Sequence, residues 1–339
     1  MNSNPSIVSG LCVGIDVAKD KLDLARSDIQ AVQVFSNDAA GIAQIVKLLL
    51  AAKPAMIVIE STGGLERLLL ETLLEAELPV ALVHPGRVRH FAIGLGILAK
   101  SDPIDARVLV RFGQLAAPRL AQKMEKNQRQ LRDLVACRRQ LIVSRTQQLN
   151  RRGTTISPAA LRSINAVIAT MDKQITSLEK QIQALIDADD DFKHLDGLLQ
   201  SVPGVGPTLS ATLACDLHEL GTDDRQRICA LVGVAPFNSD SGTVTGKRSI
   251  RGGRSDVRTI LYMATLSALR ANPLIKSMYQ RLISAGKVHK VAIIACMRKL
   301  LSLLNAMVRE GLTWDQLEVV QQLAHKTRAS TALPEASMR

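Results

Sequence analysis

Four carboxylates and one serine-bearing loop hold the residue types that could do chemistry on a phosphate ester. Asp16 closes the apolar run LCVGIDVA, Glu60 comes near the end of AMIVIEST, and Asp102 and Asp105 stand three apart in SDPIDARVL. Residues three apart at a helix start share one face. If the two apolar runs are neighbouring strands, their ends bring Asp16 and Glu60 together. Four acids on adjacent ends repel one another unless a divalent cation neutralises them. An oxygen-only ligand set suits Mg²⁺ (or Mn²⁺), the ions of phosphodiester chemistry. Each acid also has a plainer role. Asp16 could be a turn residue, Asp102 the N-cap of a helix opening Asp-Pro, and Asp105 its third position.

The second centre is FNSDSGTVTGKRSIRGGR, residues 237–254. A serine hydroxyl is a weak nucleophile and needs a base or nearby cations. Ser241 precedes Gly242, which leaves it sterically open, and Lys247, Arg248, Arg251, Arg254 and Arg258 follow. The planar arginine fork matches phosphoryl oxygens. No histidine lies in the stretch, so no local triad is indicated. Ser239, Ser249 and Ser255 compete with Ser241, and spacing alone does not choose among them. A flexible surface loop is the simpler alternative. Upstream, Pro-Gly-Val-Gly-Pro at 203–207 fits a helix-hairpin-helix, in which Gly204 and Gly206 would let backbone N–H groups approach a phosphate. An ordinary interhelical turn would look the same. His84 and His289 stand alone and read as strand-end or surface residues.

Several elements must position these groups. Residues 11–18, 21–28 and 31–37 read as three strands, the last two joined as a hairpin. A helix over 39–53, a strand over 55–62, a helix over 64–77, a strand over 79–85 and a helix over 102–116 follow. That order predicts an α/β layer with a mixed sheet. A basic helix over 119–150 ends before Ser157-Pro158, an N-cap followed by proline at the first helical position. Leu161, Ile164, Ile168, Met171, Ile175, Leu178, Ile182 and Leu185 then alternate in steps of three and four. This heptad seam predicts a coiled coil whose partner is either the preceding helix or a second subunit. From about 197 the pattern is almost wholly helical. The expected organisation is a catalytic α/β domain over 8–118, a helical coiled-coil region over 119–194, a mainly α C-terminal domain over 195–315 and a disordered tail over 326–339.

The charge points to a polyanion. The net charge is +12, and residues 225–299 hold 14 Lys/Arg against 2 Asp. Residues 100–152 are also basic, while 153–224 are acidic. Two basic blocks suggest a polyanion gripped at two places. Aromatic residues are 2% of the chain, which argues against base stacking as the main mode of recognition. No uncharged apolar stretch of membrane-spanning length and no signal peptide is evident, so a cytoplasmic, nucleoid-associated bacterial protein with no membrane partner is expected. Cys12, Cys137, Cys215, Cys229 and Cys296 lack metal or disulfide spacing and read as reduced core thiols.

An Asp after strand one, a Glu after strand four and Asp-x-x-Asp on a later helix resemble the ribonuclease-H-like superfamily, in particular resolvases of the RuvC type. VGIDVAKDKLDL, IVIESTGG and AKSDPIDARVL together resemble the N-terminal domain of the insertion sequence 110 family of transposases. VPGVGPTLSATL, the stretch ALVGVAPFNSDSGTVTGKRSIRGGRSDVRTILYMATLSA and KVAIIACMRKLLSLLNAMVREG resemble that family's C-terminal domain, closest to its branch typified by insertion sequence 1111. The resemblance implies a RuvC-like domain binding Mg²⁺ through Asp16, Glu60, Asp102 and Asp105. It implies that Ser241 attacks DNA and holds it as a phosphoserine. It further implies a dimer or tetramer, a structured non-coding bridge RNA pairing with donor and target DNA, and an active site shared between subunits. The alternative is a metal-dependent, structure-specific DNA endonuclease that uses only the carboxylates.

Overall fold

The computed structural model describes residues 8–99, 101–238, 241, 246 and 248–316. Lys247 and the 326–339 tail lie outside the described residues. The chain divides into two compact units, Met1–Met124 and Glu125–Arg339.

In the first unit, β1 (Cys12–Val17), β2 (Lys21–Arg26) and β3 (Gln33–Ser36) form an antiparallel meander. Strands β4 (Met56–Glu60) and β5 (Val80–Val83) add in parallel on the other side of β1, giving the order β3-β2-β1-β4-β5. Alternation along each strand sorts its residues between two faces. Val13, Ile15, Ile57 and Ile59 pack with α1 (Ala39–Ala52) and α2 (Arg67–Glu75). Cys12, Met56 and Val58 face α3 (Pro85–Gly94) and α4 (Asp102–Ala116) through Val88, Leu109 and Phe112.

Helix α4 lies directly on the sheet because Gly14 has no side chain. A Cβ there would stand 2.3 Å from the Ala106 carbonyl oxygen and 2.7 Å from the Val110 nitrogen. Gly113 makes the reciprocal approach, where a Cβ would sit 2.9 Å from Val58. The expected strands and the helix over 102–116 are present. Helix α3 was not expected: PGRVRHFAIG buries only Val88 and Ala92, too few apolar positions to show a helical period. His84, expected as a strand-end residue, is the N-cap of α3 and accepts from the Gly86 N–H.

The second unit opens with α5 (Lys126–Thr154) and α6 (Pro158–Asp187). The basic helix therefore starts at 126 rather than 119. The preceding segment instead bonds to the free edge of β5, with Ala121 N–H donating to the Val80 carbonyl at 2.7 Å. Asn127 bonds Asp189, Arg138 pairs with Glu179 and Arg145 pairs with Asp172. Rising numbers on one side meet falling numbers on the other, so α5 and α6 are antiparallel within one chain. All eight seam residues of α6 are buried or half-buried. Leu131, Val135, Ile182 and Ile186 then seat the hairpin on α8 (Pro207–Asp216) at Ala211, Ala214 and Cys215. The hairpin belongs to the second unit rather than standing apart.

Helices α7 (Asp190–Gln200), α9 (Arg225–Val232), α10 (Ser255–Ala271), α11 (Pro273–Ser284) and α12 (His289–Glu310) complete a core around Leu213, Ile228, Leu261, Leu300 and Leu304. Among the described residues α12 alone is long and apolar enough to cross a membrane, and ten of its residues, including Leu300 and Leu304, are buried in this core. A short ribbon, β6 (Pro236–Phe237) with β7 (Ser249–Ile250), interrupts the helices. Four cysteines are buried, but Cys137 is exposed on the outer side of α5, so it is not a core thiol.

Gly14→Ala forces a methyl group against backbone that cannot yield, and overpacking of this kind costs about 1–3 kcal/mol. Urea denaturation should show that loss. Gly94→Ala, where a Cβ meets nothing within 4 Å, should be neutral or slightly stabilising.

Candidate active site

The sheet register assembles the acids. Ile15 pairs with Ile59 in parallel, so the next residues, Asp16 and Glu60, fall side by side at the carboxyl ends of β1 and β4. Both lie on the α4 face, in step with Gly14 and Val58. The close approach at Gly14 then delivers the first turn of α4 to the same edge. Ser101, not Asp102, is the N-cap, and Asp102 and Asp105 occupy the first helical turn, where the helix dipole favours negative charge. Asp16, Glu60, Asp102 and Asp105 line one cavity of about 520 Å³ with Thr62, Gly86 and Arg89. Helix α3 supplies its opposite wall.

The cavity is electrostatically loaded. Burial, then the charges of Asp105, Asp102 and Asp23, push the Asp16 carboxyl up to about 6. Asp23 was not singled out from the sequence. It pairs in register with Asp16 across β1 and β2 and is 1% exposed. Lys21, also missed, reaches Asp23 Oδ2 at 3.0 Å and Asp102 Oδ2 at 2.6 Å. Its ammonium already acts as a counter-charge between two of the acids. Alternation in KLDL could have placed Asp23 beside Asp16, whereas the Lys21–Asp102 pair depends on tertiary structure. Glu66 is a third residue the sequence did not reveal. Its buried carboxylate accepts from Thr62 N–H, Thr62 Oγ1 and Gly64 N–H, which fixes the loop leaving Glu60.

Among the described residues no three His, Cys, Asp or Glu side chains stand grouped closely enough to hold a metal ion ready-made. The donor set is nonetheless oxygen-only, it opens onto one cavity, and its members repel. These properties fit a hard divalent cation.

The base of the serine loop is closely packed. Gly233 and Gly253 have positive φ and touch: a Cβ on Gly253 would lie 2.3 Å from the Gly233 nitrogen. Arg254 N–H donates to the Leu231 carbonyl at 2.8 Å, closing the loop base. Ser241 lies beyond the β6–β7 ribbon and is exposed. Ser249 sits in β7 and Ser255 opens α10, while Ser239 is outside the described residues. The arginines divide. Arg254 forms a two-pronged pair with Glu219 at 2.6 and 2.8 Å. Burial pushes the Glu219 carboxyl up, but this pairing leaves it below the usual range. Arg258 donates to the Val232 and Gly252 carbonyls. Both therefore hold the loop base. Arg251 lies over the Phe237 ring, 5.6 Å from its centroid, and Arg248 is exposed. These two are the described cations of the stretch that face solvent.

In the turn between α7 and α8, Gly204 has φ +93° and a Cβ there would stand 2.4 Å from the Ala268 Cα. Packing against α10 thus requires this glycine. Gly206 is the N-cap of α8 with open space around it.

Residues 13–156 match the family described as "Transposase" of the IS110 DEDD type, and residues 196–280 match the "Transposase IS116/IS110/IS902 family". The chain belongs to the IS110 family of transposases. Among relatives, the "Pilin gene-inverting protein" of Moraxella bovis is 29% identical over 90% of this chain and 97% of its own. The "Transposase for insertion sequence element IS1111A" of Coxiella burnetii is 23% identical over 76% and 78%. An insertion element IS110 protein of Streptomyces coelicolor is 29% identical over 47% of this chain and 39% of its own. As an IS110-family transposase the chain acts on DNA. The first matched segment contains all four acids and the second contains Gly204, Gly206 and Ser241.

The raised Asp16 carboxyl has a signed consequence. The folded state holds a proton that the unfolded state releases near pH 4, so this residue's contribution to stability is fully present below pH 4. It is lost as pH rises through about 6. In chelator, the stability of wild type relative to Asp16→Asn should therefore fall across that window. A flat difference would mean that neither burial nor neighbouring charge raises the Asp16 carboxyl. Removing Arg254 takes away the two-pronged partner of the buried Glu219 carboxylate, and breaking a buried pair typically costs about 3–5 kcal/mol. Arg254→Ala should lower the melting temperature markedly and Arg248→Ala should not.

Proposed function

We propose that this IS110-family transposase cuts and rejoins DNA through Ser241, assisted by a cation at the carboxylate cavity and guided by a structured RNA of its own mobile element. The observation that carries the reading is the convergence of Asp16, Glu60, Asp102 and Asp105, from two strands and a helix, on one cavity. The strand order and polarity support a ribonuclease-H-like, RuvC-type reading of the first unit. The letters D-E-D-D in the matched family's name agree with the types and chain order of these four residues, which supports the reading.

A Mg²⁺ or Mn²⁺ ion held by the four carboxylates would neutralise charge building on the attacked phosphate. The exposed Ser241 hydroxyl supplies the nucleophile. Its Oγ bonds to phosphorus as one phosphorus–oxygen bond to a sugar breaks, and the departing sugar oxygen takes up a proton. One phosphodiester bond replaces another, so a second sugar hydroxyl can reverse the step and join a new strand. Arg248 and Arg251 on the solvent side of the ribbon suit the phosphate backbone. A relative named for inverting a gene supports strand exchange over simple cleavage, because inversion requires rejoining.

Partner and assembly follow from the same reading. Delegating sequence choice to base pairing leaves the protein to grip backbone, which agrees with abundant Lys/Arg and 2% aromatic residues. The carboxylates and Ser241 lie in different compact units. A dimer or tetramer, with α5 and α6 contributing a coiled coil, would let one subunit's carboxylates serve another's serine. The α7–α8 turn fits a helix-hairpin-helix phosphate contact at Gly206.

Incubation with nicked donor DNA, the element's structured RNA and Mg²⁺, followed by a denaturing gel, tests the proposal. A protein–DNA adduct should form, vanish in Ser241→Ala and vanish in Asp16→Ala. Cleavage without an adduct would assign the chemistry to the carboxylates alone.

A further inference from the structure

The second unit holds another concentration of positive charge, outside the serine stretch and with no acid paired to it among the described residues. Arg225 at the start of α9, Arg281 near the end of α11, and Arg298 and Lys299 in the middle of α12 line one cavity of about 470 Å³. Among the described residues no carboxylate lines it, and its floor is apolar apart from Ser302. Among the described residues none of the four cationic side chains forms an ion pair or a hydrogen bond. Arg298 and Lys299 are half-buried. Other half-buried arginines of this unit are matched: Arg138 by Glu179, Arg139 by Asp216 and Asp256, and Arg254 by Glu219.

Partly desolvated like charges are unfavourable unless a counter-charge arrives. Three separate helices converge to build this arrangement, so it is not a by-product of one solvated helix face. Its chemistry also limits what can fill it. Among the described lining residues there is no aromatic ring to stack on a base, and Ser302 is the one hydroxyl that could read a base edge. Cations alone recognise phosphate and sugar, not sequence. We infer that this cavity binds the phosphodiester backbone of a nucleic-acid strand, a grip additional to the serine ribbon. The inference rests on the family's action on DNA but not on the serine or metal chemistry.

Binding in chelator, in a Ser241→Ala background, separates this site from catalysis. Full-length protein would be titrated by fluorescence anisotropy against a duplex DNA and, separately, an RNA hairpin of unrelated sequence, over a salt series. Each lost phosphate contact should flatten the slope of log affinity against log salt by about 0.9 on duplex DNA, and weaken binding about tenfold near 50 mM salt. The triple variant R281Q/R298Q/K299Q should show the sum of such losses. Arg281→Gln alone, at an exposed position, should show one step with an unchanged melting curve. Loss on the DNA arm only assigns the site to DNA, loss on the RNA arm only assigns it to RNA, and loss on both marks a shared backbone contact. Wild-type affinity and slope on both nucleic acids, in the single variant and in a folded triple variant, would overturn the inference.

Discussion

Helix α4 can reach the carboxyl edge of the sheet because Gly14 presents only a hydrogen to it. Strand parity puts Asp16 two residues further along the same face, and the parallel register puts Glu60 beside it. The helix then brings its first turn, with Asp102 and Asp105, to the same place. Apolar burial of Val108, Leu109 and Phe112 on one side and Cys12 and Val58 on the other holds the contact. Such burial is worth about 1.5–3 kcal/mol per large side chain. It sustains a group of acids that would otherwise separate, and burial followed by their mutual charge raises the Asp16 carboxyl. The site's charge is thus imposed by packing and softened by the helix dipole and by Lys21.

What could be read from the sequence follows from range. Strands, the heptad seam and the Asp-x-x-Asp spacing are local and periodic, and each appears where expected within a residue or two. Helix α3 has two buried positions and opens Pro-Gly, so its period is too faint to register, yet it forms a wall of the acidic cavity. The β6–β7 ribbon is two residues deep on each side, below the length at which alternation shows. Asp23 was within reach, since reading strands one and two as a hairpin would set it opposite Asp16, as the register does. The Lys21–Asp102 and Arg254–Glu219 pairs were not, because each joins residues far apart in the chain. Gly204 shows the converse: a glycine suited to phosphate approach is already required by Ala268 on α10.

The same distinction governs the basic residues. A count of 14 Lys/Arg against 2 Asp in 225–299 treats every cation alike. In the folded unit, Arg254 is neutralised by Glu219 and Arg258 is spent on two carbonyls. Arg132 and Arg139 likewise share Asp216 from outside that stretch. A guanidinium held this way still adds to the net charge, but it releases few counterions on meeting DNA because its partner travels with it. Salt-dependent affinity comes from cations that enter the complex without a carboxylate. That criterion is met by both groups proposed to contact nucleic acid: Arg248 and Arg251 on the ribbon, and the cations shared by α9, α11 and α12. Segment charge marks where the chain is basic, and only the pairing of individual side chains separates the available cations from those already committed.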